Sequence, residues 1–571
     1  MRSAIFAAIV ACLFLAPVSP IAQTRDQGPD ASMRAQPQTP IPSARPAGAV
    51  PAPGEGFHPD PACEPQGTES AAAQAGTTDP RADRANCRKL SDADIATAPI
   101  NEIRVTSRHV AHIAGRAIAY TATAGTLTLR DDEGKPTASM FYVAYTTGEP
   151  GRPVTFLYNG GPGSSTVWLH MGSVGPKRVL TDSPQPTHNA PYQLVDNEDS
   201  LLDKSDLVFL DAVGAGFSRP VGDTKLKAFW GTDQDIDAFA RGIERWLTIN
   251  ERWNAPKFIF GESYGTTRSA GLSYRLQQDG VQLNGVILLS SILNYGRRQP
   301  GFDQEMISYL PSYAAAAAYH HKLADPPNDL NAFIAEVRDF ARGPYAEALA
   351  KAQDLTEPER EAVAQKLAGY IGLPASYILA SDLRIPPSRF RKELLRDRRL
   401  TLGRYDDRFT GVDIDAAGET PEFDPSDTGI TGAFVAAFHD YLTRELGFET
   451  NLSYRPTYYQ AGAQWDFNHK ANGIGGSGGE NEADVALDLS QAMRENPHLL
   501  LYSLNGIYDL ATPFFGTEYD LSHMQLDPAL RGNVRFAYYP SGHMVYLNPQ
   551  ALHAMKADLA RFYDEAAPPG R

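Results

Sequence analysis

The chain has 571 residues, 42% of them hydrophobic, so it is long and apolar enough to bury a large core. Its 68 acidic and 52 basic side chains give a net charge of −16, which argues against nucleic acid or an anionic membrane as the main partner. After residue 22 no uncharged apolar run reaches the ~18 residues of a membrane span, so no transmembrane segment is expected.

The N-terminus has the layout of a secretory signal peptide over residues 1–22. Met1-Arg2 is a short positive start, residues 4–17 are almost wholly apolar, and small residues run to Ala22. Ile9-Val10-Ala11-Cys12 offers a weaker alternative, lipid attachment at Cys12. Cys63 and Cys87 are the cysteines of the mature chain. In an oxidising compartment they are expected to bridge, two free thiols being the other reading. Residues 23–100 are rich in Pro, Ala and Gln without a sustained period and read as a flexible arm.

The folded body is expected from residue 101. Alternating residues over Ala117–Leu129 and Thr137–Thr146, around the turn at Asp131-Asp132-Glu133-Gly134, predict an antiparallel hairpin or meander. Short apolar runs then alternate with amphipathic stretches. Val154–Tyr158, Leu207–Leu210, Phe258–Phe260, Val286–Leu289, Leu499–Leu504 and Val534–Tyr539 read as buried strands. Asp233–Asn250 reads as a helix capped by Thr232. This alternation predicts an α/β protein, a mostly parallel sheet with helices on both faces. The pattern breaks over residues 296–480, where Ser312–Leu323, Leu330–Ala341 and Glu357–Tyr370 read as helices. A mainly helical cap insertion is expected there, dividing the core into 101–295 and 481–571.

Phe258-Ile259-Phe260 runs into Gly261-Glu262-Ser263-Tyr264-Gly265 and a helical stretch, Thr266–Gln278. This is G-x-S-x-G between a strand and a helix, the setting of a nucleophile elbow in the α/β-hydrolase fold. Ser263 is the candidate nucleophile. Gly475-Gly476-Ser477-Gly478-Gly479 matches the same pattern, but no strand precedes it, and Ser477 is read as loop. A serine needs a base, and in this fold an acid and then a histidine follow it, each after a late strand. Asp509 and His543 stand at those places; Asp520 and Asp527 compete for the acid. Asn159-Gly160-Gly161-Pro162-Gly163, after an earlier strand, is suited to hold an oxyanion with backbone N–H groups.

Asn159-Gly160-Gly161-Pro162-Gly163-Ser164-Ser165, Gly175-Pro176, Asp211 through Ser218, Gly261-Glu262-Ser263-Tyr264-Gly265 and Gly542-His543-Met544 together resemble the serine carboxypeptidases, and the sparse cysteines favour a bacterial branch. The resemblance runs from about Arg104 to the C-terminus and is weakest in the insertion. It implies a Ser263–Asp509–His543 triad and an oxyanion hole from the N–H groups of Gly161 and Tyr264. It also implies that Asn159 and Glu262 bind the free carboxylate of a peptide substrate. Two positions depart from the family: Ser164 replaces a cysteine, and Ser173 replaces a second glutamate that shares a proton with the one before the nucleophile.

No cofactor is expected. His320-His321 lacks a surrounding ligand framework, so no metal is expected either. The sequence therefore points to a secreted serine-type carboxypeptidase, with an esterase or acyltransferase on the same scaffold as the alternative. A non-catalytic binding protein would have lost a triad residue, and none is missing.

Overall fold

The computed structural model describes residues 98–299, 301–458, 461–462, 464–470 and 481–568. The expected signal peptide, the arm as far as residue 97, Cys63, Cys87 and Ser477 lie outside the described residues.

Three long strands open the body: β1 (Arg104–Ile113), β2 (Arg116–Arg130) and β3 (Pro136–Thr146). They pair antiparallel in sequence order. The remaining principal strands are β4 (Val154–Tyr158), β5 (Asp206–Leu210), β6 (Arg219–Pro220), β7 (Lys257–Glu262), β8 (Gly285–Leu289), β9 (Leu500–Gly506) and β10 (Val534–Tyr539). The sheet order is β1-β2-β3-β5-β4-β7-β8-β9-β10, with β6 on the flank of β3. From β5 onward every neighbouring pair is parallel. Parallel neighbours need crossovers, and helices supply them.

The strands β4, β5, β7 and β8 are buried on both faces, which is why they read as unbroken apolar runs. Their side chains still alternate between two cores. Leu157, Phe209, Phe258 and Ile287 pack with the helix Pro549–Ala566 through Leu559 and Phe562. Phe156, Val208, Ile259 and Val286 face Phe239, Trp246 and Leu276 from the helices Thr232–Ile249 and Tyr264–Gln278. This two-faced sheet is the expected α/β-hydrolase architecture.

Between β8 and β9 the chain forms helices, among them Gln304–Tyr319, Leu330–Phe340, Glu357–Ile371, Pro387–Glu393 and Pro425–Asp440. A third core joins several of them to Ile507, Tyr508 and Phe514, just past β9. The insertion is thus packed onto the carboxyl end of a sheet strand, where α/β folds hold their ligands.

Two local expectations are corrected. The helix expected over Ser312–Leu323 runs from Gln304 to Tyr319, with Pro311 inside it. Pro311 is tolerated inside this buried helix. The chain leaves that helix at His321, which takes a left-handed φ of 57°. Thr232 does not cap its helix; Gly231 occupies the cap position without a side-chain bond, and Thr232 is the first helical residue.

Candidate active site

β7 ends in Glu262, and Ser263 begins the turn into the helix Tyr264–Gln278. Ser263 has φ 61° and ψ −130°, a conformation that costs a side-chain-bearing residue energy and is stored where function uses it. The flanking glycines explain how the turn closes. A Cβ on Gly261 would come within 2.1 Å of the Gly265 carbonyl oxygen. A Cβ on Gly160 would come within 2.4 Å of the Tyr264 nitrogen, so the glycine loop lies directly against the elbow. Gly161 itself has φ 106°. The N–H groups of Gly161 and Tyr264 have no backbone acceptor among the described residues, as suits donors reserved for an oxyanion.

Asp509 and His543 come together past the tips of β9 and β10. His543 Nδ1 lies 2.7 Å from Asp509 Oδ2, and both side chains are buried. The other Asp509 oxygen accepts the N–H groups of Ala511 and Thr512 at 2.7 and 3.0 Å. The Thr512 hydroxyl lies 2.8 Å from Asp509 Oδ2. These bonds fix the carboxylate and hence the imidazole ring. Ser263 is half-exposed. No hydrogen bond joins its hydroxyl to His543 among the described residues. Such contacts are often long without substrate and tighten in its complex. The competing acids are engaged elsewhere. Asp520 accepts the Leu293 N–H and pairs with Arg297 at 3.2 Å, and Asp527 caps a short helix through the Ala529 N–H. His320 is also engaged, its Nε2 lying 2.7 Å from the Asp407 carbonyl oxygen.

Glu262 is 1% exposed. Burial pushes its carboxyl up to about 7, against the opposing pull of His543 and of hydrogen bonds from Tyr546 and Asn159. Asn159 is oriented by accepting the Leu169 N–H at 2.9 Å. Ser173 does not take the missing glutamate's part: its hydroxyl donates to the Leu169 carbonyl. Tyr546 partners Glu262 instead, its hydroxyl 2.9 Å from Oε2. Its ring lies against the helix Val167–Gly172, where a Cβ on Gly172 would come within 2.5 Å of it.

Sequence reasoning missed several supports. Asp211 accepts both the N–H and the hydroxyl of Thr166, at 2.7 and 2.6 Å, which anchors the chain just after the glycine loop. Arg268, wholly buried, pairs with Asp235 at 2.7 Å and donates to the Asn159 carbonyl at 2.8 Å. It thereby ties the elbow helix to the first residue of the glycine loop. The insertion contributes a strap across the same loop: Ser165 N–H donates to the Pro456 carbonyl and Tyr458 N–H to the Gly163 carbonyl. Farther along, Trp465 packs edge-on to Tyr264, ring centres 5.3 Å apart. His469 pins the end of the strap between Asp233 and Asp488 at 2.5 and 2.8 Å. Burial would lower its pKa, but the two carboxylates outweigh that and raise it to about 9. Tyr405, also from the insertion, accepts the His543 N–H at 2.6 Å and stacks obliquely on its ring.

Residues 118–300 match the sequence profile of the serine carboxypeptidase family. That segment holds the glycine loop, the Asp211 turn and the elbow. Among solved structures, the chain is similar to a prohormone-processing carboxypeptidase from Saccharomyces cerevisiae, at 16% identity and TM-score 0.49, over 78% of this chain and 91% of that one. It is also similar to a proline iminopeptidase from Mycobacterium smegmatis, at 13% identity and TM-score 0.30, over 81% and 98%. A carboxyl esterase from Bacillus coagulans shows 11% identity and TM-score 0.32, over 77% and 97%. No curated protein sequence matches the chain. Among the described residues no helix is long and apolar enough to cross a membrane. The likeness to the serine carboxypeptidases thus rests on residues 118–300, about a third of the chain.

Proposed function

We propose that this protein is a secreted serine-type carboxypeptidase that removes C-terminal residues from peptides through an acyl-enzyme on Ser263. His543 Nε2 takes the Ser263 proton as the serine oxygen attacks the scissile carbonyl, and Asp509 holds the imidazole through Nδ1. The N–H groups of Gly161 and Tyr264 stabilise the oxyanion. His543 returns the proton to the departing amine. Water then attacks the acyl-enzyme by the same route and frees the shortened peptide.

The observation that carries this reading is Glu262, a buried carboxyl beside the nucleophile with its pKa pushed up to about 7. Protonated, it can donate to a substrate carboxylate that two ionised acids in contact would repel. A simple ester presents no free carboxylate for such a group to bind. The reading is tested with matched peptides bearing a free C-terminus or a C-terminal amide. Shortening of the free acid alone, lost roughly 10⁴-fold or more in Ser263→Ala, supports it. Equal turnover of both substrates sinks it in favour of the esterase or acyltransferase. Export rests on residues 1–22, and mass spectrometry of the mature N-terminus tests it: a start after Ala22 supports cleavage there, a lipidated Cys12 means export as a lipoprotein, and retention of residues 1–22 refutes both.

A further inference from the structure

Arg404 stands in the insertion beside the histidine, and its main chain is held at both ends. Its N–H donates to Asp424 Oδ1 at 3.0 Å, and its carbonyl accepts the N–H of Leu510, the residue after Asp509, at 3.1 Å. The next residue, Tyr405, carries a ring 5.1 Å from the His543 ring. The Arg404 guanidinium lies 5.4 Å from that Tyr405 ring, and the residue as a whole is exposed. Among the described residues it has neither an ion pair nor a hydrogen-bond acceptor. A charge with a fixed base and a free head, next to the reacting groups, is placed to meet a ligand.

Its surroundings give the direction. Arg404 and Arg298 both act on Tyr295 and Tyr309. Arg298 also reaches the catalytic acid's loop, donating to the Ala511 carbonyl at 3.1 Å. Tyr295 packs 4.8 Å from Phe467, and Phe467 packs 6.5 Å from Tyr264, the residue after the nucleophile. These groups form an aromatic wall with positive charge at its edge. None of them is among the principal neighbours of Glu262, which are His543, Tyr546, Asn159 and Asp509. On the proposed reading the site has a carboxyl end at Glu262, and Arg404, against the ring beside His543, supplies a separate cationic group. Asp424 and Asp509 act on Arg404 through their charges, but neither is ion-paired with it. Asp424 is committed to Ser426 and lies 3.9 Å from Arg391, Glu305 faces Arg298, and Asp509 holds His543.

We infer that Arg404 is a specificity-determining residue that pairs with a carboxylate side chain on the acyl side of the scissile bond. The enzyme then favours peptides with Asp or Glu immediately before the C-terminal residue. This rests on the carboxypeptidase reading, in which Glu262 takes the terminal carboxylate and leaves the acyl-side side chain for Arg404.

The test uses blocked dipeptides, benzyloxycarbonyl-Glu-Leu, -Gln-Leu and -Lys-Leu, with wild type, Arg404→Gln and Arg404→Lys. A charge-assisted hydrogen bond in a partly enclosed cleft should favour Glu over Gln by about tenfold or more in kcat/KM, with Lys lowest. The Glu/Gln ratio should fall towards one in Arg404→Gln, survive in part in Arg404→Lys, and shrink in high salt. Equal wild-type rates for Glu and Gln, or a ratio untouched by Arg404→Gln, overturns the inference. So does an Arg404→Gln variant that loses the preference for free acids over amides, because Arg404 would then read the terminal carboxylate. If wild type shortens none of the peptides yet cleaves esters, the carboxypeptidase reading is the one that fails. The Glu/Gln comparison on the acyl side of those esters then decides the role of Arg404.

Discussion

The Tyr546 hydroxyl lies 2.9 Å and 3.2 Å from the two carboxyl oxygens of Glu262, across 284 residues of sequence. The position where the family has a second glutamate holds Ser173, whose hydroxyl is turned to the Leu169 carbonyl. The side chain bonded to both Glu262 oxygens is thus a neutral donor, not an acid that would share a proton. A donor stabilises the ionised form of Glu262, whereas a second carboxylate would oppose it.

This predicts the pH dependence of substrate binding. In the proposed role, a Glu262 carboxyl pushed up to about 7 would donate to the substrate carboxylate below that pH, and the ionised group would repel it above. KM for a free-acid peptide should therefore rise between about pH 6 and pH 8, while KM for the amide stays flat. Tyr546→Phe removes a bond that lowers the Glu262 pKa, so the rise should begin at higher pH. Glu262→Gln should flatten it, since an amide donates at every pH. Steady-state KM for both substrates across this range is the measurement. Parallel free-acid and amide profiles would show that Glu262 does not read a terminal carboxylate.

Arg268 makes a second test. It is wholly buried, paired with Asp235, and stacked 4.0 Å over the Phe239 ring. Removing one member of a buried pair strands the other charge, at a cost of about 3–5 kcal/mol. Arg268→Met should lower the melting temperature sharply. Asp235→Asn with Arg268→Met should recover much of the loss. Even in the recovered protein kcat should remain low, because the Asn159 carbonyl has lost its donor and the glycine loop its tie to the elbow helix. Full activity in the double variant would mean that Arg268 serves stability alone.

The start of the body gives a third. Ala98 N–H donates to the Pro220 carbonyl, the Thr128 hydroxyl donates to the Ile100 carbonyl, and Glu102 pairs with Arg245 at 2.9 Å. Ile103 exchanges bonds with Thr126. A protein lacking residues 23–97 should melt and turn over like the full chain, whereas one lacking residues 23–103 should melt several degrees lower. Equal melting of the two would show that residues 98–103 add nothing.

The sequence was most legible where structure is local. The elbow around Ser263 and the buried strands are written in consecutive residues, and these appear with small shifts at their ends. Asp509 and His543, each expected because it follows a strand directly, lie within hydrogen-bond distance of one another. What escaped has partners distant in sequence: Tyr546 with Glu262, Arg268 with the Asn159 carbonyl, Tyr405 with the His543 N–H. No periodicity announces such pairs. The stretch from Tyr454 to Tyr458 was hidden for another reason. It is held by backbone hydrogen bonds, and those leave almost no mark on side-chain pattern.

Asp407 supports the last prediction. It is 0% exposed, and neither carboxyl oxygen has a hydrogen-bond partner among the described residues. Its backbone is fixed: the N–H donates to the Tyr508 carbonyl, and His320 meets its carbonyl. Burial, then the nearby charges of Asp406 and Asp509, hold its carboxyl well above the usual range despite Arg408. In the unfolded chain the group loses its proton near pH 3.8. Above that pH the folded state therefore binds more protons than the unfolded state, and stability falls with rising pH until the folded carboxyl also ionises. The slope from this one group approaches about 1.4 kcal/mol per pH unit. Asp407→Asn removes the titration while keeping the shape. The variant should match wild type below about pH 3.8 and become the more stable of the two as pH rises through that value. Urea unfolding at several pH values measures the gap directly. A gap that stays constant with pH would show that Asp407 ionises alike in both states, and that its burial costs the protein nothing that depends on a proton.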